Sequence, residues 1–280
     1  MLQLTVEQVA VQVGAVDDNR GLVRSLADQA LTAGSDLVVF PELAVSGYTT
    51  DRALVREVAE PLDGPTVGML TELTARRGGL VATGLCERDG DVFYNSVVVV
   101  GRDGPVLHYR KLHLFDEEND VYAPGDLGLP VADTDWGRLG ACVCYDLRFV
   151  EVLRVLSLRG ADLVVAPAAW VGGFDRSVPA TGLPRQAQAA VVQANLDQVA
   201  VAAVSQAPVP GGPALLGGSV VADAHGDLLA GPLSRNSADR ATVRIDVAAG
   251  RAARVRSERI RPREDRRTDV YALHHDGRTL

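Results

Sequence analysis

Gly34-Ser35-Asp36-Leu37-Val38-Val39-Phe40-Pro41 returns later in the chain as Gly160-Ala161-Asp162-Leu163-Val164-Val165-Ala166-Pro167. At the same offset Val45 and Gly47 match Val171 and Gly173. Each copy follows a stretch with helical character, residues 20–33 and 150–159, and each opens on a glycine where a helix C-cap belongs. The Asp-Leu-Val-Val run is short, apolar and β-branched, so it reads as a buried strand. Each run closes on a proline, which has no N–H to offer a neighbouring strand, and the strand is expected to stop there. The reading is one helix–strand unit used twice, hence an internally duplicated α/β fold. After the proline the copies diverge: Glu42 in the first, Ala168 in the second. A pseudo-symmetric scaffold with one reactive half fits that divergence.

Working outward, the stretch between the copies is rich in strands. Leu80–Glu87 and Val92–Val100 flank Arg88-Asp89-Gly90-Asp91, a hairpin signal. Gly101-Arg102-Asp103-Gly104 is a second turn and leads into a third strand, Val106–Lys111. Residues 115–130 read as loop. Leu139–Tyr145 reads as a strand, as do Val199–Ser205 and Ser219–Ala224. Gln186–Asn195 reads as a helix, and the Pro- and Gly-rich residues 208–218 as a loop. No interdomain linker interrupts the 280 residues, which are expected to form one domain with an arginine-rich C-terminal arm over about 250–280.

Composition narrows the function. With 47% hydrophobic and 23% charged residues the chain is ordinary globular material. A chain of this size buries roughly 75% of its unfolded surface, so it needs no metal or disulfide staple. The formal net charge of −8 opposes binding to nucleic acid or to an anionic membrane. Eight arginines crowd residues 251–267, but no aromatic residue interleaves with them. They read as a solvated arm pairing with acidic surface and not as a nucleic-acid site. The three cysteines, Cys86, Cys142 and Cys144, make no disulfide framework. Cys142 and Cys144 would face opposite sides of a strand. The N-terminus lacks the pattern of a signal peptide, and no run reaches the ~18 apolar residues of a bilayer span. A cytoplasmic protein is expected.

Three residues stand where chemistry can occur. Cys144 lies where an apolar strand gives way to a helix. A thiol at such an elbow is exposed to substrate and to the backbone N–H groups of the coming turn. It needs a nearby base or cation to react as thiolate. Cys142 reads as core. Glu42 follows a buried strand and a proline, at the carboxyl edge where α/β sheets bind ligands. Partial burial there favours a general base. Lys111 closes its strand inside Tyr109-Arg110-Lys111-Leu112-His113-Leu114-Phe115. A half-buried cation there can stabilise an oxyanion. Either Glu117 or Glu118 is available to steady it, and His113 reads as structural. Other hydrolytic schemes fit worse. There is no His-Glu-x-x-His, no zinc spacing, no Gly-x-Ser-x-Gly elbow and no phosphate-binding glycine loop.

Phe40-Pro41-Glu42, Tyr109–Phe115 and Cys144-Tyr145-Asp146-Leu147-Arg148-Phe149 together resemble, in order, the three signatures of the nitrilase superfamily of carbon–nitrogen hydrolases. Tyr94-Asn95-Ser96, Pro124-Gly125, Gly217-Gly218-Ser219 and Arg266–Tyr271 extend the resemblance over nearly the whole chain. The resemblance implies a four-layer α-β-β-α sandwich. It also implies Glu42 as general base, Lys111 as oxyanion stabiliser, Cys144 as nucleophile and Glu118 as a second glutamate. Tyr145 would add its backbone N–H to the oxyanion site. No metal or organic cofactor is implied. The partner is a small amide, and a homodimer or larger homo-oligomer is expected. Tyr-Asp after Cys144, where nitrile-cleaving members have Trp-Glu, is similar to the amidase and ω-amidase branch. Tyr48 and Trp170 are placed to line the pocket. The sequence departs from many relatives at Gln193-Ala194-Asn195-Leu196-Asp197, where they carry Arg-Ala-x-Glu-Asn, which leaves the acyl group open. An N-carbamoyl-amine hydrolase, a nitrilase, an acyltransferase and a catalytically idle scaffold are the alternatives.

Overall fold

The computed structural model describes residues 1–173, Val178 and residues 182–280. The first half runs β1 (Leu2–Gln8), α1 (Val16–Thr32), β2 (Leu37–Val39), α2 (Arg52–Val58), α3 (Pro65–Arg77), β3 (Leu80–Asp89), β4 (Val92–Gly101) and β5 (Gly104–Arg110). The second runs β6 (Val131–Thr134), β7 (Gly137–Ala141), α4 (Val150–Leu158), β8 (Leu163–Ala168), α5 (Arg185–Asp197), β9 (Ala200–Ser205), β10 (Val220–Ala222), β11 (Leu228–Ala230) and β12 (Asp239–Ile245).

These strands form two six-stranded sheets, ordered β12-β1-β2-β3-β4-β5 and β11-β10-β9-β8-β7-β6. In the first, β1, β2 and β3 are parallel, and β4 and β5 follow antiparallel. In the second, β7, β8 and β9 are parallel, and β10 and β11 follow antiparallel. Each sheet is closed by an antiparallel edge strand, β12 beside β1 and β6 beside β7. The duplication read from two short stretches therefore extends through both sheets.

The helix ends repeat as well. Gly34 N–H donates to the Leu31 carbonyl and Ser35 N–H to Ala30, while Gly160 and Ala161 do the same to Ser157 and Leu156. Both glycines take left-handed φ angles, 91° and 94°, which turn the chain out of the helix and into the strand. They sit one residue beyond the cap positions Ala33 and Arg159.

Residues on β2 and β4 alternate between two cores. Leu37, Val39, Val97 and Val99 point between the sheets. Val38, Val98 and Val100 point outward against Val23, Ala27, Leu70 and Leu73 of α1 and α3. On the far side Val152, Leu156, Ala187, Ala190 and Ala194 of α4 and α5 cover the second sheet. The layers are α-β-β-α. Sheets buried on both faces explain why their strands read as continuous apolar runs.

Two strand ends differ from expectation. β8 does not stop at Pro167 but continues to Ala168, with Pro167 opposite Val204. The Val165 carbonyl accepts from Cys142 on the β7 side. Pro167, two residues on, turns its donorless nitrogen to that same side, where β7 has already ended at Ala141. β7 itself ends before the cysteines, so Cys142 and Cys144 are not neighbours on a strand.

The arginine arm pairs only partly with acidic surface. Arg251 and Arg254 converge on Asp162, each at 2.7 Å. Arg263 instead donates to the carbonyls of Ser157, Asp197 and Gln198, capping the ends of α4 and α5. No helix among the described residues is long and apolar enough to cross a membrane.

Candidate active site

Glu42 leaves the carboxyl end of β2 through Phe40-Pro41 and is fully buried. Its backbone lies directly on Gly84 of β3. A Cβ on Gly84 would meet the Glu42 Cα at 2.5 Å and the Leu43 nitrogen at 2.3 Å, so no other residue fits without moving the turn. From the second sheet Gln206 Nε2 donates to the Glu42 carbonyl at 2.7 Å.

Lys111 follows β5. Its N–H donates to the Asn95 carbonyl on β4, and its own carbonyl accepts from Gly125. The Nζ lies 2.8 Å from Glu42 Oε1 and 2.8 Å from Glu118 Oε2, with all three side chains shielded from solvent. Glu118 sits on a short 3-10 turn, Asp116–Asp120, and accepts the Phe115 N–H at 2.9 Å. Glu117 points elsewhere, to the Thr50 hydroxyl. Glu118, and not Glu117, is the glutamate brought to Lys111.

Asn95, absent from the candidates drawn from sequence, completes this cluster. Its Nδ2 donates to Glu42 Oε1 at 2.7 Å and reaches Glu118 Oε1 at 3.4 Å. Glu42 Oε1 is thereby occupied by Lys111 and Asn95, while Glu42 Oε2 is buried with no hydrogen-bond partner among the described residues. A buried carboxylate oxygen left without a partner is costly and calls for a physical reason.

Cys144 opens a second 3-10 turn, Cys144–Arg148, with the left-handed φ of 47° that a side-chain-bearing residue rarely takes. Asp146 braces this elbow. It accepts from Val143 N–H (2.9 Å), Tyr109 Oη (2.7 Å) and His113 N–H (3.1 Å), and His113 Nδ1 lies 2.8 Å away. One buried carboxylate thus ties the Cys144 turn to the segment bearing Lys111. His113 stacks on Phe149 at 3.6 Å, in keeping with its structural reading. The Ala169 backbone N–H reaches the sulfur. The pseudo-symmetric copy of the Glu42 turn therefore supplies an amide where the first copy supplies a carboxylate.

Burial, reinforced by Glu42, pushes the Cys144 thiol well above its ordinary range despite the opposing pull of Lys111. At rest the sulfur keeps its proton, and reaction requires a base to take it. Burial works against the Lys111 charge, but Glu42 and Glu118 outweigh it and hold the ammonium protonated. Burial raises Glu118 above a normal carboxylate, with Lys111 pulling the other way. Cys86, raised by burial to about 12, lies outside this cluster beside Tyr122.

A small cleft of about 50 Å³ opens at Cys144, walled by Phe115, Tyr145, Leu147, Ala169, Trp170 and Val171. Trp170 is 1% exposed, and its indole N–H has no partner among the described residues. Tyr48 is partly buried, and its hydroxyl reaches Glu118. Burial, then Glu118 and Glu42, keep that phenol protonated. In the departing segment, Gln193 donates to the Leu147 carbonyl at 2.7 Å and so supports the Cys144 turn. Leu196 is instead 54% exposed, and Asp197 is buried against Arg154 at 2.6 Å. Among the described residues no group of three or more His, Cys, Asp or Glu is placed to hold a metal ion.

The carbon-nitrogen hydrolase family model matches residues 3–255. A nitrilase of Pyrococcus abyssi (strain GE5 / Orsay) is 38% identical over 170 residues, covering 60% of this chain and 65% of that protein. An omega-amidase of Danio rerio is 34% identical over 165 residues, covering 55% of this chain and 58% of that protein. The chain thus spans less than two thirds of the length of these relatives. A carbon-nitrogen hydrolase from Helicobacter pylori G27 superposes with a TM-score of 0.83 at 24% identity, covering 96% of each chain, a likeness of fold.

Proposed function

The chain belongs to the carbon–nitrogen hydrolase family, and from that premise we propose that it hydrolyses the C–N bond of a small amide through a thioester on Cys144. The observation carrying this reading is the buried Glu42 Oε2, which has no hydrogen-bond partner among the described residues and belongs to a carboxylate close to a fixed cation and to a thiol that burial keeps protonated. Glu42 takes the thiol proton, and the sulfur attacks the amide carbon. The oxyanion of the tetrahedral intermediate meets the Lys111 ammonium and the Tyr145 backbone N–H. The C–N bond breaks as protonated Glu42 returns its proton to the leaving nitrogen. Water, deprotonated by Glu42, then attacks the thioester and releases the acid and the thiol. Glu118 holds Lys111 in place throughout. No step uses a metal or organic cofactor.

The amide preference draws on Tyr145-Asp146 after the cysteine and on relatives named omega-amidase and (R)-stereoselective amidase. Incubation with a panel of amides, carbamoyl-amines and nitriles, with ammonia detection, tests it. Ammonia from simple amides supports the reading, and a panel without any ammonia release contradicts it. Added hydroxylamine captured in preference to water would instead point to an acyltransferase.

Two substitutions examine the parts. Glu42→Gln keeps the shape and removes the base, so single-turnover acylation should slow by about 10²- to 10⁴-fold. Thioester formation at the wild-type rate would rule out that role. Trp170→Phe keeps an aromatic ring and loses the indole N–H. We expect KM to rise roughly five-fold, or about 1 kcal/mol, for amides whose acyl chain carries a hydrogen-bond acceptor. Plain aliphatic amides should be unaffected, and an equal change for both classes would show that the indole N–H does not read the substrate.

A further inference from the structure

Asn95 is fully buried on β4, opposite Cys86 on β3, and touches each charged member of the cluster. Its carbonyl receives the Lys111 N–H, and its Nδ2 meets one oxygen of Glu42 and one of Glu118. The amide can point only one way. Turned over, Oδ1 would face two carboxylate oxygens, an arrangement with no proton to share. Held this way, Oδ1 is itself buried with no partner among the described residues. Both side-chain hydrogen bonds go to the carboxylates of the cluster, so the reason for an amide here lies in that cluster.

Lys111 brings a single positive charge to two buried carboxylates. Like charges in such proximity push one of them toward protonation. A protonated Glu42 cannot accept the thiol proton. The Asn95 N–H groups add to Lys111 on both carboxylates. On Glu42 the two donors share Oε1, which leaves Oε2 as the oxygen with no partner among the described residues. We propose that Asn95 is a positioning residue that occupies Glu42 Oε1 and so selects Oε2 as the base. The assignment rests on the thioester reading above.

The sign of the effect follows from hydrogen bonding to the charged form. Removing an N–H that favours the carboxylate raises the proton affinity of Glu42, so the base is protonated over a wider acidic range. The acidic limb of the kcat/KM profile therefore moves to higher pH. The test uses the full chain and an amide that the wild type hydrolyses. Asn95→Leu should lower kcat/KM about ten-fold and move the acidic limb up by about one pH unit, with KM nearly unchanged. Its thermal midpoint should stay within a few degrees of wild type. Asn95→Asp, which puts a third carboxyl beside the other two, should move the limb at least as far. If Asn95→Leu fails to fold, Asn95→Ala carries the same expectation without added bulk. Folded variants with a wild-type limb and kcat/KM within two-fold would overturn the assignment. Cys144→Ala run alongside separates the two levels. An active Cys144→Ala overturns the thioester reading and this inference together. An inactive Cys144→Ala with wild-type profiles for the Asn95 variants overturns the inference alone.

Discussion

Cys144→Ala is expected to lower amide turnover by about 10⁶-fold while leaving the fold intact, as losing a covalent nucleophile does elsewhere. The geometry explains both halves. The elbow is held by Asp146 through Val143, Tyr109 and His113, not by the sulfur. The sulfur's own contact is the Ala169 N–H, at the mouth of the cleft. Alanine takes the 47° φ at much the same cost as cysteine. The check is ammonia release together with a thermal melt. A folded variant retaining turnover within an order of magnitude of wild type would remove Cys144 from the chemistry.

Lys111→Met should damage both rate and stability. Methionine fills a similar volume but leaves Glu42 and Glu118 without their cation, each fully buried. Breaking such a cluster costs about 3–5 kcal/mol. Losing an oxyanion donor costs a further ~10²- to 10³-fold in kcat. The pH dependence has a definite sign. Without the ammonium, nothing offsets the burial that already raises Glu118 above its unfolded value. Its contribution to stability is then greatest at acidic pH and lost as pH rises through the raised folded value. The variant's deficit in melting temperature should therefore be smaller near pH 5 than near pH 8. A deficit independent of pH, with kcat reduced only a few-fold, would show that Lys111 is a packing residue.

How much of this was legible beforehand depended on burial. The duplicated Gly-x-Asp-Leu-Val-Val units were plain because both copies lie in sheets covered on both sides, where a strand is an unbroken apolar run. The strands β6, β11 and β12 lie at sheet edges and are partly exposed; β6 and β12 mix polar with apolar residues and β11 is only three residues long, so composition does not mark them. β1 was passed over as well, although Leu2, Leu4 and Val6 alternate with Gln3, Thr5 and Glu7. The end of β7 was overrun because Ala141-Cys142-Val143-Cys144 is apolar throughout, and only the φ at Cys144 records the turn.

In the site, Glu42, Lys111 and Cys144 announced themselves by their place at strand ends. Asn95 did not, because its meaning lies in register: β4 carries it past Lys111, and nothing local in Tyr94-Asn95-Ser96 says so. Asp146 was read as a branch marker. Its role as the brace between the two halves of the site appears only when Tyr109 and His113 come to it in space.

Intact-mass spectrometry of the protein, quenched during turnover of an amide, tests the covalent step most directly. The predicted spectrum contains a species heavier by the amide less ammonia, with the added group on the peptide bearing Cys144. It should be absent from Cys144→Ala. Steady ammonia release with Cys144 unmodified at every quench time, and with Cys144→Ala equally active, would contradict the thioester mechanism.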